Sequence, residues 1–218
     1  VNTQPVLAVL VSGSGSNLQA IIDAAERGEI PARVGLVLSN KADAYGLVRA
    51  RKHGIPTEVV DHRAFGSREE FDARLVELIR SCRADLVCLA GFMRVVTPVF
   101  LRAFPHRILN IHPALLPAFP GTHGPSQALQ YGVRFSGCTV HFLDEGVDTG
   151  PVIVQAVVPV YEDDTEETLA ARILKEEHRI YPIAIRLFLE GKLTVSGRRV
   201  FTGGTGRIEE FSRRNPDA

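Results

Sequence analysis

No apolar run in the chain approaches the roughly 20 residues that a helix needs to cross a bilayer. The first residues, Val1-Asn2-Thr3-Gln4-Pro5, have no basic region ahead of an apolar stretch, so neither a membrane segment nor a secretory leader is expected and the cytosol is the expected compartment. Charge of one sign is not in excess either. Lys plus Arg and Asp plus Glu number 25 each, so the balance gives no general attraction to nucleic acid or to an anionic membrane. Cysteine is sparse: Cys82, Cys88 and Cys138 are odd in number, lie in apolar segments and form no Cys-x-x-Cys pair, which fits reduced core thiols and disfavours a metal site. Repeats, low-complexity blocks and a convincing linker are also missing, so residues 1–218 read as one domain.

What is there is ordinary globular material, 45% hydrophobic and 23% charged, arranged in an alternating pattern. Val6 to Val11 is a continuous apolar run, as in a strand buried on both faces of a parallel sheet. Ser12-Gly13-Ser14-Gly15-Ser16-Asn17 follows, and then Leu18, Ile21, Ile22 and Ala25 at helical spacing. Strands are expected at Val34–Leu38, Thr57–Val60, Asp85–Ala90 and Ile108–Ile111, with helices at about Ala44–His53 and after the Ser67/Glu70 capping box. Thr97-Pro98 opens a short helix. This alternation predicts an α/β fold with a doubly wound, mostly parallel, Rossmann-like sheet, whose ligands lie beyond the carboxyl ends of the strands. A short helix from Ser126 to Tyr131, strands at Cys138–Phe142 and Val152–Val160, and a long helix opening near Thr165 complete the body. Pro182 must kink or break that helix. Pieces at Leu193–Val195 and Arg199–Phe201 give a carboxyl-terminal mixed strand region, and the tail, 194–218, is expected to be peripheral.

Three strand exits on one edge carry chemistry-bearing residues. The Gly13–Asn17 loop between a strand and a helix has the form of a phosphate cradle, in which glycines admit the anion and free N–H groups meet it. It lacks the third glycine of a dinucleotide site and the lysine of a nucleoside-triphosphate loop, and a tight turn with a serine cap is the plain alternative. Gly91-Phe92-Met93-Arg94 leaves the fourth strand. Asn110 and His112, two apart and so on one face, leave the fifth, where Pro113, Pro117 and Pro120 stiffen the chain. A lone histidine is more often a core residue, but this one comes with an amide and a proline-locked backbone. Asn110 and a charged His112 would supply the donors that an oxyanion on a carbonyl carbon requires. A nearby carboxylate would raise the histidine pKa, and Asp144, Glu145 and Asp148 compete for that place on composition alone. The chain has no Gly-x-Ser-x-Gly elbow and no His-Glu-x-x-His, and its His106, His112, His123 and His141 show no paired helical spacing, so a serine hydrolase and a zinc enzyme are disfavoured. His141, inside a predicted strand, reads as structural.

The segments Ser12–Gln19, Ser39–Ala44, Leu89–Arg94, Leu109–Pro117, Asp148–Val152 and Glu177–Pro182 together resemble the phosphoribosylglycinamide formyltransferases, folate-dependent enzymes of purine synthesis. The likeness runs from about Val6 to Leu193. It implies transfer of the formyl group of 10-formyltetrahydrofolate, a co-substrate, to the amine of glycinamide ribonucleotide, without a metal. It implies that Gly13, Ser14, Gly15, Ser16 and Asn17 hold the ribonucleotide phosphate and that Glu177 touches its ribose. Phe92, Met93, Arg94, Val95 and Val96, with Asp144, Glu145, Gly146 and Val147, are implied to line the folate pocket, and Asn110, His112 and Asp148 to form the catalytic trio. Residues 6–111 then make a nucleotide-phosphate half and 112–193 a catalytic and folate half. The expected partners are the two small-molecule substrates, with no nucleic acid and no membrane, and a homodimer is one assembly open to the chain. The sequence departs from the family pattern at Leu174, where a polar residue is common, at Ala114, where serine is usual, and in the turn Thr122–Ser126. A formyltetrahydrofolate hydrolase, using water as acceptor, is the nearest alternative. Its usual extra amino-terminal domain is not expected here, nor is the carboxyl-terminal nucleic-acid-binding domain of the methionyl-tRNA formyltransferases.

Overall fold

A computed structural model describes residues 4–203 of the chain, and the statements below concern those residues. The first strand, β1 (Val6–Val11), is buried at every position. Leu7, Val9 and Val11 join an apolar core shared with residues of the helices α1 (Ser16–Glu26), α2 (Tyr45–Lys52) and α6 (Glu166–Leu189). Ala8 and Leu10 point the other way, into a second core with α3 (Arg68–Ser81) and α4 (Pro98–Ala103). The unbroken apolar run is therefore a strand with helices on both faces, each fully buried leucine contributing about 1.5–3 kcal/mol.

The remaining strands are β2 (Arg33–Ser39), β3 (Thr57–Val59), β4 (Leu86–Leu89), β5 (Ile108–His112), β6 (Phe135–Phe142), β7 (Val152–Pro159), β8 (Leu193–Ser196) and β9 (Arg199–Thr202), with α5 (Gly124–Tyr131) between β5 and β6. They form one sheet in the order β3-β2-β1-β4-β5-β6-β7-β9-β8. The pairs from β3 to β5 are parallel, and β6 runs antiparallel to both β5 and β7. The chain builds outward from β1 to β3, then crosses back to β4 on the other side of β1. That reversal puts the exits of β1 and β4 side by side, where such sheets bind ligands.

Three expectations change. The long helix does not break: α6 runs through Pro182, which lies inside it. The preceding residue explains this, because Tyr181 is fully buried and its hydroxyl lies 2.9 Å from the Leu89 carbonyl and 3.0 Å from that of Leu109. Packing of this kind outweighs the roughly 3 kcal/mol that an interior proline costs. The capping box before α3 is half formed: Ser67 accepts from the Glu70 N–H, but the Glu70 carboxylate reaches back to Gly66. The helix α5 starts at Gly124, ahead of the expected Ser126, with Pro125 in its first turn, and Gly132 closes it in the left-handed conformation. The expected carboxyl-terminal strand pieces are present as a hairpin over residues 193–202, tied to β7 through a parallel bridge between Val152 and Arg199; the rest of the predicted tail, from 204, lies outside the described residues. No described helix is long and apolar enough to cross a membrane.

Candidate active site

The glycine loop after β1 is shaped by backbone. Gly15 is the N-cap of α1 at φ 67°, a conformation that favours glycine, and no side chain caps the helix. The serine-cap alternative is thereby set aside, and the first N–H groups of α1 remain available. A Cβ on Gly15 would stand 2.4 Å from the Gly46 Cα, so α2 packs against the loop glycine on glycine. The Gly13 carbonyl accepts from the Gly46 N–H at 3.0 Å, and the Ser14 carbonyl from Arg49 Nε at 2.9 Å. Asn17, buried, donates from Nδ2 to Glu177 Oε2 at 2.7 Å, which joins two predicted ribonucleotide residues from opposite ends of the chain. Burial pushes the Glu177 carboxyl above its usual range against the pull of that bond. Leu174 on the same helix is half-buried, and Lys175 is exposed.

The segment after β4 divides by exposure. Phe92 is buried in the α3–α4 core, so its side chain serves as a floor, whereas Met93 and Val95 are exposed and Val96 packs partly against the core. Two residues one turn apart on α3 hold this segment: Arg68 donates to the Val95 carbonyl at 2.6 Å, and the buried Asp72 carboxylate accepts the Thr97 N–H.

Next to it, β5 ends at His112, where Pro113 stops the ladder. Asn110 and His112 face Asp148 and two residues of β6. Strand register pairs Asn110 with His141 and His112 with Thr139. His112 Nδ1 lies 3.3 Å from Asp148 Oδ2, and His112 Nε2 lies 2.8 Å from the Phe119 carbonyl. Of the three acids that composition left open, Asp148 is thus the one at His112. Asp144 staples its own loop, accepting from Thr149 Oγ1 and the Gly146 N–H, and Glu145 is exposed, as are Gly146 and Val147. Asp148 adopts φ 54°, a strained choice for a non-glycine residue that costs about 1–3 kcal/mol, and its Oδ2 also accepts the Gly121 N–H at 2.7 Å.

The histidine is not charged in the way the sequence suggests. Burial lowers the His112 pKa and outweighs the opposing pull of Asp148 and the Phe119 carbonyl, so the resting ring is neutral near neutral pH. The same burial would raise Asp148, but the His141 side chain and the Gly121 N–H together hold its carboxyl below the usual range. The result is an ionised carboxylate beside a neutral imidazole.

His141, read from the sequence as structural, belongs to the cluster. Its Nδ1 faces the Phe142 carbonyl at 2.8 Å, while Nε2 lies 3.2 Å from Asn110 Nδ2 and 3.6 Å from Asp148 Oδ1. Thr139 is a second residue that sequence reasoning missed. Its hydroxyl donates to the Ala114 carbonyl and accepts from the Leu116 N–H and Gln155 Nε2, so it fastens the proline-rich loop where Ala114 has no hydroxyl of its own. The signal was present in Cys138-Thr139-Val140-His141-Phe142, two polar residues on one face of an apolar strand, mirroring Asn110 and His112. An amide donor, an imidazole and a carboxylate held on rigid strand ends can stabilise negative charge that builds on a carbonyl oxygen and can move one proton.

Residues 6–185 match the family described as formyl transferase. The chain is 47% identical over 198 residues to phosphoribosylglycinamide formyltransferase of Escherichia coli, covering 91% of this chain and 93% of that protein. It is 52% identical over 192 residues to the trifunctional purine biosynthetic protein adenosine-3 of Drosophila melanogaster, covering 87% of this chain but only 14% of that much longer protein. Glycinamide ribonucleotide transformylase 1 from Symbiobacterium toebii superposes with a TM-score of 0.91 at 57% identity, over 93% of this chain and 95% of that one.

Proposed function

The chain belongs to the formyl transferase family, and from that premise we propose that it transfers the formyl group of 10-formyltetrahydrofolate to the amine of glycinamide ribonucleotide, a step of purine biosynthesis. The observation that carries this reading is the gathering of Asn110, His112 and Asp148 on the same sheet edge as the uncapped Gly13–Asn17 loop. In this reading residues 6–111 supply the phosphate-holding half, through the N–H groups of Gly13 to Asn17, and Glu177 contacts the ribose. Residues 112–193 supply most of the chemistry. Exposed Met93 and Val95, over the Phe92 floor and with the 144–147 loop, cover the folate. The proposed setting is the cytoplasm, where unpaired thiols such as Cys82, Cys88 and Cys138 stay reduced.

The amine nitrogen attacks the formyl carbon, and the carbonyl π pair moves onto oxygen. Asn110 has a second amide hydrogen not used by His141 and donates it to that oxygen. The resting His112 ring, being neutral, donates its one N–H from Nε2 to the Phe119 carbonyl and keeps a free lone pair at Nδ1, so the formyl oxygen takes the place of that carbonyl at Nε2. The attacking amine gives up a proton as it bonds, and Asp148, 3.3 Å from Nδ1, passes it to that nitrogen of His112. Protonation is favourable only then, because the oxyanion adds to the pull of Asp148 and reverses the effect of burial. The imidazolium therefore forms where charge develops, which stabilises the transition state more than the ground state. Collapse of the tetrahedral intermediate breaks the bond to the folate nitrogen, which takes up the proton, and releases tetrahydrofolate.

Tetrahydrofolate release from 10-formyltetrahydrofolate, measured with and without glycinamide ribonucleotide, tests the reading. Release that depends on the ribonucleotide is expected; equal release in both would identify a hydrolase instead.

A further inference from the structure

The geometry points to Ser12 as a positioning residue that couples the ribonucleotide loop to the folate segment, so that each substrate strengthens binding of the other. This rests on the proposed function and deepens it.

Ser12 is the last residue before the glycine loop and is 5% exposed. Its backbone N–H and its hydroxyl are both engaged by neighbouring segments. Its backbone N–H donates to the Gly91 carbonyl at 3.0 Å. Its hydroxyl oxygen accepts the Met93 N–H at 2.8 Å and lies 2.6 Å from Asn40 Oδ1. Met93 N–H can only donate, so the single hydroxyl hydrogen goes to Asn40. The result is a directed chain, Met93 N–H to Ser12 Oγ–H to Asn40 Oδ1, in which each bond polarises the next. Asn40, 4% exposed, closes β2 and precedes α2, whose first turn packs on Gly15 and whose Gly46 N–H holds the Gly13 carbonyl.

Ser12 is thereby the shared fixed point of two loops that belong to different substrates. Moving Gly13 to meet a phosphate moves the residue that holds Met93 and Gly91, and ordering Met93 against a folate fixes the residue from which the glycine loop springs. Arg68 and Asp72 pin the far end of the same segment at Val95 and Thr97, so a displacement at Met93 cannot be absorbed further along. A fastening of this kind gives reciprocal coupling between sites, typically about 5- to 150-fold in affinity.

The test uses tetrahydrofolate as the folate probe and calorimetric titration of the whole chain, with and without saturating glycinamide ribonucleotide. In the wild type the ribonucleotide is expected to tighten tetrahydrofolate binding at least about fivefold. Ser12→Ala is expected to bring that ratio close to one, Ser12→Thr, which retains a hydroxyl, to restore most of it, and Asn40→Ala, a second route should Ser12→Ala fold poorly, to reduce it partly. A loss of fold alone would weaken each binding event without changing their ratio. The proposal is overturned if the wild-type ratio is one, or if Ser12→Ala or Asn40→Ala keeps the wild-type ratio. Formyl transfer by the wild type, measured in the same preparation, reports separately on the proposed function.

Discussion

The glycine loop after β1 and the polar cluster after β5 share one sheet edge yet are made of different material. The loop offers backbone: glycines, unpaired N–H groups and a helix start without a side-chain cap. The cluster offers side chains, and these come from three places, β5, β6 and the loop before β7. A backbone site depends on local conformation and holds one shape of anion. A side-chain site depends on register between strands and can tune protonation. Binding and chemistry are accordingly separable, and substitutions at the two ends should fail in different ways.

The largest effect is expected at the cluster. His112→Ala should lower kcat about 10²–10³-fold, equivalent to about 2.7–4 kcal/mol, with little change in KM for the ribonucleotide. Steady-state kinetics check this, and near-wild-type turnover would contradict the role given to the ring. At the loop the pattern should reverse. Gly15→Ala places a methyl group against Gly46 at φ 67°, and a loss of about 1.4 kcal/mol in binding would raise KM for the ribonucleotide about tenfold while kcat at saturation stays near that of the wild type. If kcat fell instead, the division between the two ends would be wrong.

The same difference decides what could be seen in the sequence. The strand, glycine turn and helix around Ser12 to Asn17, the buried β1 and the stop at Pro113 are local patterns, and they were legible because neighbouring residues define them. Asn110 and His112 were legible for the same reason, being two apart on one strand. His141 and Thr139 were not, since their membership depends on β6 pairing antiparallel to β5 with Asn110 opposite His141. Nor was the protonation of His112: a carboxylate neighbour argued for a charged ring, but only the packed structure reveals how deeply that ring is buried. The continuity of α6 through Pro182 was hidden likewise, because the anchoring partners of Tyr181 are carbonyls of β4 and β5, far away in the chain.

Smaller effects sharpen the contrast. Thr139→Val keeps the shape but removes the hydroxyl that serves the Ala114 carbonyl and the Leu116 N–H. Unfolding in urea should show a loss of about 1–3 kcal/mol, accompanied by a lower kcat because the proline-rich loop is no longer fastened. Tyr181→Phe should cost about 0.5–1.5 kcal/mol by the same measurement and leave both kinetic constants unchanged. The slightest effect is on pH dependence. The folded pKa of His112 is below its unfolded value, so protonation favours the unfolded chain; stability is full above the unfolded value, about 6.5, and falls as pH drops through the folded value. Asp148, also lowered, acts with the same sign at more acidic pH. Urea midpoints at pH 7.5 and about 5.5 should therefore differ more for the wild type than for His112→Ala, and equal differences would show that the ring is not held neutral.

The most direct measurement is a crystal structure of the chain with glycinamide ribonucleotide and tetrahydrofolate bound. The account predicts phosphate oxygens accepting from N–H groups of Gly13 to Asn17, the amine beside Asn110 and His112, and the Phe119 carbonyl displaced from His112 Nε2. A phosphate bound away from that loop, or an amine beyond hydrogen-bond reach of Asn110 and His112, would contradict it.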